Sequence, residues 1–413
     1  MNLSFSPNLS RIASGYRASL QLATLGLEKR NQAIRAMASM LQENFVDILE
    51  ENTLDLEYSR EMAVSELVLD WLKLTPERLE VAIAALERLA RLPDPLAQGA
   101  SNQQQLYRGQ AYHQPQPLGL VGFIYEGFPE LGAIAAGLAL KTGNALILRG
   151  SGEGIHSHQI MTKVLQIAVA QAGLPEGSLV SLSSDCFLGE LVTSPYINLL
   201  IPYGRPGLVQ QVRQQATAPV LPTAIGNCYA YWSPCASWEA VRSILIDSHS
   251  SEPDGVNSLE KVLIHREQKH SALLLLWHSL QEKGFSLRGD LELVNQFPQE
   301  LSLANDREWA SPYLSKTIAF RMMDGLESAI AYINQYSSGH GDCLMTESYS
   351  ESRQFSRAVT SASLYINTSP RFDRCPPQGD GVFLGMSNSR GYGRGLIGLS
   401  SFTTNQQVVQ GFY

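Results

Sequence analysis

The sequence predicts a two-domain α/β protein built on parallel sheets, and three observations carry that prediction. Residues 117–154, PLGLVGFIYEGFPELGAIAAGLALKTGNALILRGSGEG, read as strand, helix, strand and glycine-rich turn. Leu118–Tyr125 and Ala145–Leu148 are apolar runs without alternation, as strands buried on both faces are. Between them, Ile134, Leu138 and Lys141 recur at helical spacing, and the helix stops at Gly143-Asn144. Two strands joined by a helix in so short a span lie parallel. A fresh alternation of strands and helices starts at Gly226, and 413 residues exceed what one ordinary core organises.

The first hundred residues read as helices. Ile34, Met37, Leu41, Phe45, Ile48 and Leu49 repeat every three to four positions, and Thr75-Pro76-Glu77 is an N-cap followed by proline at the first helical position. The helices stop around Leu92-Pro93-Asp94-Pro95, and Tyr107–Gln116 reads as an edge strand or protruding ribbon. After the central unit, Arg149-Gly150-Ser151-Gly152-Glu153-Gly154 leads into a helical run, Gln159–Ala172. Glycines let backbone N–H groups approach an anion that a helix N-terminus favours, so this turn is either a phosphate cradle or a tight turn that needs glycine for shape. Val180–Leu182 and Tyr196–Pro202 are further strands, and Gly204-Arg205-Pro206-Gly207 turns into a helix over Leu208–Gln215. Arg205 there is either a cation beside a bound phosphate or a solvated surface arginine.

The second set holds strands at Tyr229–Trp232, Lys261–His265, Lys316–Met322, Cys343–Thr346 and Ala362–Asn367. Its helices begin at Ser237, His270 and Gly325, and Thr403–Tyr413 closes the chain as a strand.

Composition excludes several classes. With 44% hydrophobic and 17% charged residues and a net charge of −8, the chain has no basic surface for nucleic acid. No apolar run approaches the roughly 18 residues that span a bilayer, and the first residues lack the basic-then-apolar order of a signal peptide. The expected address is therefore the cytoplasm. The five cysteines are scattered without a CxxC pair, and His156 and His158 have no third ligand in view, so neither a disulfide framework nor a metal site is expected. Cys228 admits a nucleophile or a small core side chain, and His340 a catalytic group or a structural hydrogen bond.

Seven segments, PLGLVGFIYE, LKTGNALILRG, IGNCYAY, NSLEKVLIH, AIAYINQYSSGH, SASLYINTSPRF and GRGLIGLSSFTT, then carry a resemblance. The chain resembles the gamma-glutamyl phosphate reductase (glutamate-5-semialdehyde dehydrogenase) family of the aldehyde dehydrogenase superfamily over nearly its whole length. The resemblance implies N-terminal helices and a Rossmann-type cofactor domain over residues 1–225, with an oligomerisation ribbon near 105–116. It also implies a catalytic α/β domain over 226–394 and a C-terminal oligomerisation strand over 395–413, so a homo-oligomer is expected. The implied activity is NADPH-dependent reduction of L-glutamyl 5-phosphate to glutamate-5-semialdehyde in proline biosynthesis. A cysteine thiolate displaces phosphate, hydride reduces the thioacyl enzyme, and the semialdehyde leaves.

Carried onto this sequence, the resemblance places NADP(H) near Arg149, Gly150, Ser151, Gly204 and Arg205, and the substrate near Phe128, Glu130 and His340. The family's Pro-Gly-Val-Cys-Asn run matches Pro253-Asp254-Gly255-Val256-Asn257, so the nucleophile position falls on Val256, beside Asn257. Valine has no lone pair for attack; Cys228 is the substitute that the resemblance places best, and Ser258 a weaker one. Phe128 and Glu130 stand where the family has Arg and Asn, and Pro312 where the superfamily has the Glu that holds the nicotinamide ribose. An enzyme of the family type and a non-catalytic paralogue that binds a nucleotide or metabolite, or regulates an active homologue, are both consistent with these departures.

Overall fold

The structure, a computed structural model, describes residues 7–97, 101–106, 109–223, 226–250, 257–389, 391 and 393–411. The chain divides into two compact units: residues 1–223, 374–385 and 396–413, and residues 224–373 with 386–395. The segment 374–385, which the sequence groups with the second domain, thus belongs to the first. No described helix is long and apolar enough to cross a membrane.

The first unit opens with five helices: α1 (Pro7–Leu22), α2 (Leu27–Glu43), α3 (Phe45–Glu61), α4 (Glu66–Leu72) and α5 (Pro76–Arg91). Thr75 caps α5 by accepting from the Arg78 N–H, as its sequence predicts. Two strands follow, β1 (Ser101–Leu106) and β2 (Gly109–Pro117), and then the central unit of β3 (Leu120–Tyr125), α6 (Leu131–Lys141) and β4 (Ala145–Arg149). All of β3 and α6 is buried, which is why neither shows amphipathic alternation. Next come α7 (Ile155–Gln171), β5 (Leu179–Leu182), α8 (Leu188–Val192), β6 (Leu199–Tyr203) and α9 (Pro206–Gln215). The sheet order is β5-β4-β3-β6, all parallel.

The second unit carries β7 (Cys228–Trp232), α10 (Trp238–Ser248), β8 (Leu259–His265), α11 (His270–Glu282), β9 (Ser286–Gly289), α12 (Leu291–Gln296) and β10 (Ser302–Leu303). It continues with α13 (Asp306–Trp309), β11 (Thr317–Met323), α14 (Leu326–Tyr336), β12 (Gly341–Met345), α15 (Tyr349–Ala358) and β13 (Ser363–Ile366). These strands form a parallel sheet of order β10-β9-β11-β8-β7-β12-β13. One face packs Trp232, Trp277 and Phe320, and the other Tyr229, Tyr231 and Phe355.

Two short strands, β14 (Gly385–Ser387) and β15 (Gly395–Ile397), precede β16 (Thr403–Gly411). β16 runs antiparallel to β2 from Thr403 opposite Pro117 to Gly411 opposite Gly109, and β2 pairs on its other side with β1. Asn144 anchors this end: its Nδ2 donates to the Phe402 carbonyl at 2.8 Å, and its Oδ1 accepts from the Gly119 N–H at 2.8 Å.

Candidate active site

In the first unit, the carboxyl ends of β4 and β6 lead into α7 and α9, the two junctions where a phosphate would lie. Both helix starts already hold a carboxylate of the chain itself. At α7, Asp55 of α3 accepts from the backbone N–H groups of His156 (2.9 Å) and Ser157 (2.8 Å). Asp55 is only 1% exposed, and Asn52 beside it donates to Ser157 Oγ at 3.0 Å. Burial raises the Asp55 pKa despite these hydrogen bonds. Gly150 serves packing: a Cβ there would meet the His158 ring at 2.8 Å. His158 bridges Tyr125 Oη and Ser181 Oγ, each at 2.9 Å, and burial lowers its pKa to about 4, so it is neutral. Asp55 thus occupies two N–H donors at the start of α7, and Gly150 in the turn before it is required by packing.

At α9, the Arg205 N–H donates to Glu126 Oε2 at 2.9 Å. The Arg205 guanidinium is bound to Glu126 through Nε (2.9 Å) and Nη2 (3.0 Å), and to Glu153 through Nη2 (2.8 Å). Burial works to raise the Glu153 pKa, but its backbone N–H, Arg205 and the Ser151 hydroxyl outweigh that and lower it. Gly204 has φ +149°, and a Cβ there would lie 2.8 Å from Glu126 Cβ and Oε2. Arg205 is thus held by two carboxylates while its side chain stays 44% exposed.

Arg149 donates through Nη2 to the carbonyls of Ser184 (2.8 Å) and Cys186 (3.2 Å), while its buried Nε has no partner. Beside α7 and β5 lies a cavity of about 420 Å³, lined in part by Arg11, Ser151, Gln159, Ser181, Ser183 and Ser184. Against NADP(H), these hydroxyls and amides suit a ribose. At α7 Asp55 takes two N–H donors, whereas at α9 Glu126 takes only the N–H of Arg205, the residue before the helix.

Phe128 is buried at φ +47°, a strained backbone for a residue with a side chain. Its ring stacks on Trp71 (5.6 Å) and meets Tyr203 edge-on (5.4 Å). Glu130 is buried and accepts from Arg78 at both oxygens, at 2.8 and 2.7 Å. The Glu130 charge is therefore met by Arg78. Arg374 went unnoticed in the sequence; its Nη2 donates to Tyr203 Oη at 3.0 Å, and its guanidinium lies 5.8 Å from the Phe128 ring centre.

In the second unit, Val256 lies outside the described residues, and its neighbour Asn257 is buried. Asn257 Nδ2 donates to the Pro370 carbonyl at 3.0 Å and lies 2.7 Å from Met386 Sδ, and its Oδ1 is buried without a partner. Cys228 sits in the apolar core with Ala230, Trp232 and Leu259, and burial drives its thiol pKa far upward. That corrects the substitute-nucleophile expectation, because a thiol held protonated in a core does not attack. Ser258 is likewise buried, donating to the Ser248 carbonyl at 3.2 Å.

His340 lies at the start of β12, wholly buried, with Nδ1 3.0 Å from Ser338 Oγ and Nε2 without a partner. Burial lowers its pKa to about 4. Ser338 Oγ also accepts from the Asn227 N–H at 2.8 Å, so Asn227 and His340 meet through one hydroxyl. Next to Pro312, Glu260 accepts from the N–H groups of Tyr313 (2.5 Å) and Leu314 (2.8 Å), and lies 3.4 Å from Lys261 Nζ. Burial, partly offset by Glu260, lowers the Lys261 pKa to about 8. Asp342, also unnoticed in the sequence, is pushed up to about 6 by burial while accepting from the Tyr229 N–H and the hydroxyls of Ser337 and Ser361. Among the described residues, no group of His, Cys, Asp and Glu is arranged to hold a metal ion.

No protein-family model matches the chain. It is 49% identical over 397 residues to gamma-glutamyl phosphate reductase 2 of a Synechocystis species, covering 95% of this chain and 94% of that one. The crystal structure of gamma-glutamyl phosphate reductase from Thermotoga maritima superposes with a TM-score of 0.90 at 29% identity, covering 99% of both chains. An acetylating aldehyde dehydrogenase from Geobacillus thermoglucosidasius (TM-score 0.72, 14% identity, 98% and 96% covered) shares the fold. So does an engineered glycolyl-CoA reductase with bound NADP+ (TM-score 0.71, 12% identity, 97% and 96% covered). With an aldehyde dehydrogenase-like fold and such relatives along nearly its full length, the chain belongs to the gamma-glutamyl phosphate reductase family.

Proposed function

We propose that this chain handles the family's ligands, L-glutamyl 5-phosphate or glutamate-5-semialdehyde together with NADP(H), in the reductive step of proline biosynthesis. The observation that carries this reading is the 49% identity to a gamma-glutamyl phosphate reductase across 95% of the chain. In that reaction the acyl phosphate and NADPH, with one proton, give the semialdehyde, NADP+ and inorganic phosphate. The nicotinamide supplies the hydride when bound. Toward the substrate, the residues that support the reading are His340 and Asn257, each with a buried polar atom that has no partner within the chain.

A second reading is favoured by position 256: binding without turnover, as a non-catalytic paralogue that regulates or accompanies a cysteine-bearing homologue. The thioacyl route needs a thiolate, and Val256 offers none. Cys228 and Cys343 are buried in the core of the second unit with their thiols pushed far up, and Cys186 and Cys375 belong to the first unit, also raised by burial. Cys235 is exposed and its pKa is lowered, but it follows the opposite end of β7 from Asn257 and His340, which precede their strands.

The three-stranded sheet of β1, β2 and β16, with β16 mostly exposed, supports assembly into a homo-oligomer. β16 is an edge strand whose outer side is unpaired among the described residues, and such edges template pairing with a second copy.

The deciding experiment is the reverse reaction, oxidation of glutamate-5-semialdehyde with NADP+ and phosphate, on the wild type beside Val256→Cys. Turnover by the wild type establishes a reductase that works without a cysteine at 256. Turnover by Val256→Cys alone establishes intact ligand sites and the non-catalytic reading. Two inactive proteins would overturn the reductase reading and leave a binding or regulatory role.

A further inference from the structure

We propose that Cys235 is a modification site of the second unit: a thiol that small hydroperoxides oxidise to the sulfenic acid, with Thr346 and Glu351 as positioning residues that carry its proton. The cluster is separate from the ligand site proposed above, and the inference does not depend on that reading.

The cluster lies where the carboxyl ends of the parallel strands β7 and β12 meet, the end of such a sheet at which small molecules dock. Ser233, just beyond β7, donates its N–H to the Met345 carbonyl at 3.0 Å, which draws together the turns that follow the two strands. Cys235 Sγ is then 3.2 Å from both Ser233 Oγ and Thr346 Oγ1, and accepts from the Glu347 N–H at 3.3 Å. Thr346 Oγ1 donates to Glu351 Oε2, so its one hydrogen is spent and the Cys235 thiol is the donor toward it. A thiol, a hydroxyl and a carboxylate thus stand in series. Ser233 and Thr346 are buried while Cys235 is exposed, so a fixed polar floor presents the sulfur to solvent.

Two further features belong to this cluster. Asn367 holds Thr346 at both backbone groups, Oδ1 accepting from its N–H at 2.8 Å and Nδ2 donating to its carbonyl at 2.6 Å, and does so at φ +54°, a backbone uncommon outside glycine. The Tyr231 hydroxyl, on the strand that leads to Cys235, is wholly buried and has no partner among the described residues. Burial, with the charges of Glu351, Glu327 and Cys235 added, raises its pKa, which sets this hydroxyl toward the cluster. A buried hydroxyl without a partner is what an oxygen added beside it would satisfy. Burial also works to raise the Cys235 pKa, but the bonds to Ser233, Thr346 and the Glu347 N–H outweigh it and lower the value.

In the reaction the thiol proton passes to Thr346 Oγ1 as the Thr346 proton passes to Glu351. The thiolate attacks one peroxide oxygen; the S–O bond forms, the O–O bond breaks, sulfur is oxidised and the peroxide is reduced. The leaving oxygen takes the proton back through the relay and departs as water or an alcohol.

The test treats the reduced full-length protein with hydrogen peroxide, traps sulfenic acid with dimedone and locates the adduct by peptide mass spectrometry. Iodoacetamide, whose leaving group needs no proton, is the parallel probe. Cys235 is expected to carry at least about tenfold more dimedone adduct than any other cysteine. Glu351→Gln and Thr346→Val should each slow the peroxide reaction about tenfold or more while changing the iodoacetamide rate by less than about threefold, and Thr346→Ser should keep the peroxide rate. Adducts spread evenly, or concentrated on another cysteine, would overturn the site. So would a Cys235 that reacts with iodoacetamide and not with peroxide, which would show an exposed thiol and nothing more. Peroxide rates equal to the wild type in Glu351→Gln and Thr346→Val, or equal slowing of both probes, would overturn the relay.

Discussion

Single residues here repeatedly pair buried charge with a partner far away in sequence. Asp55 meets Ser157, Glu126 meets Arg205 and Glu130 meets Arg78, across 102, 79 and 52 positions. Three buried imidazoles, His158, His249 and His340, have no acidic partner, and burial lowers each to about 4. A group whose folded pKa is depressed contributes stability that is full above its unfolded value, near 6.5, and is lost as pH falls toward 4. Asp342, raised to about 6, works the other way over part of that window. Asp55 and Glu260 are also raised by burial and oppose the imidazoles, so the imidazole contribution is read as the slope of stability against pH between 6.5 and 4 in chemical denaturation, wild type against variant. His249→Gln should flatten that slope, by on the order of 3 kcal/mol across the window; an unchanged slope would mean that His249 titrates normally. At this scale the sequence was legible only for caps such as Thr75, whose partner is three residues away. The fates of Cys228 and Arg205 were not, because burial and ion pairing are set by residues no local pattern reveals.

At the scale of elements, legibility followed burial. β3, α6 and β4 were readable because they are apolar almost throughout, and the strands β7, β8, β11 and β12 because each carries a run of buried apolar residues. The helix α15, in which only Phe355 is buried, and the short β9, α12, β10 and α13 escaped notice, since too few residues carry a period. One readable signal was missed: α3 buries Ile48, Asn52, Asp55 and Ser59, a stripe at core spacing that turns polar after its first member. Polar residues in such a stripe must have buried partners, and here those of Asn52 and Asp55 lie at the start of α7. The contact between α5 and α6 yields a prediction with a sign. Alanine at an ordinary helical glycine gains up to about 1 kcal/mol. A Cβ at Gly137 would lie 2.6 Å from Leu86 Cδ2 and 2.7 Å from Leu89 Cδ1, and overpacking costs about 1–3 kcal/mol. Gly137→Ala should therefore lower the melting temperature; an increase would show that both leucines re-pack freely.

For the whole molecule, the family was legible from motifs spread along the chain, whereas the membership of residues 374–385 was not. That segment joins the first unit through side chains such as Arg88, which donates to the Pro376 and Gly379 carbonyls at 2.5 and 2.9 Å. Assembly is testable at this scale. Val409 lies on β16 and is 61% exposed, so Val409→Pro should block pairing of that edge with a second copy. Light scattering after gel filtration should then give a smaller mass than the wild type; an unchanged mass would exclude β16 as the assembling edge. The path of the chain has a further consequence during synthesis. β16 pairs with β2, and the Phe402 carbonyl is held by Asn144, so the first unit needs residues 402–411 to leave the ribosome. The second unit needs nothing beyond residue 395. The half that begins first is thus completed last, and a truncated or stalled chain will expose the unfilled edge of β2.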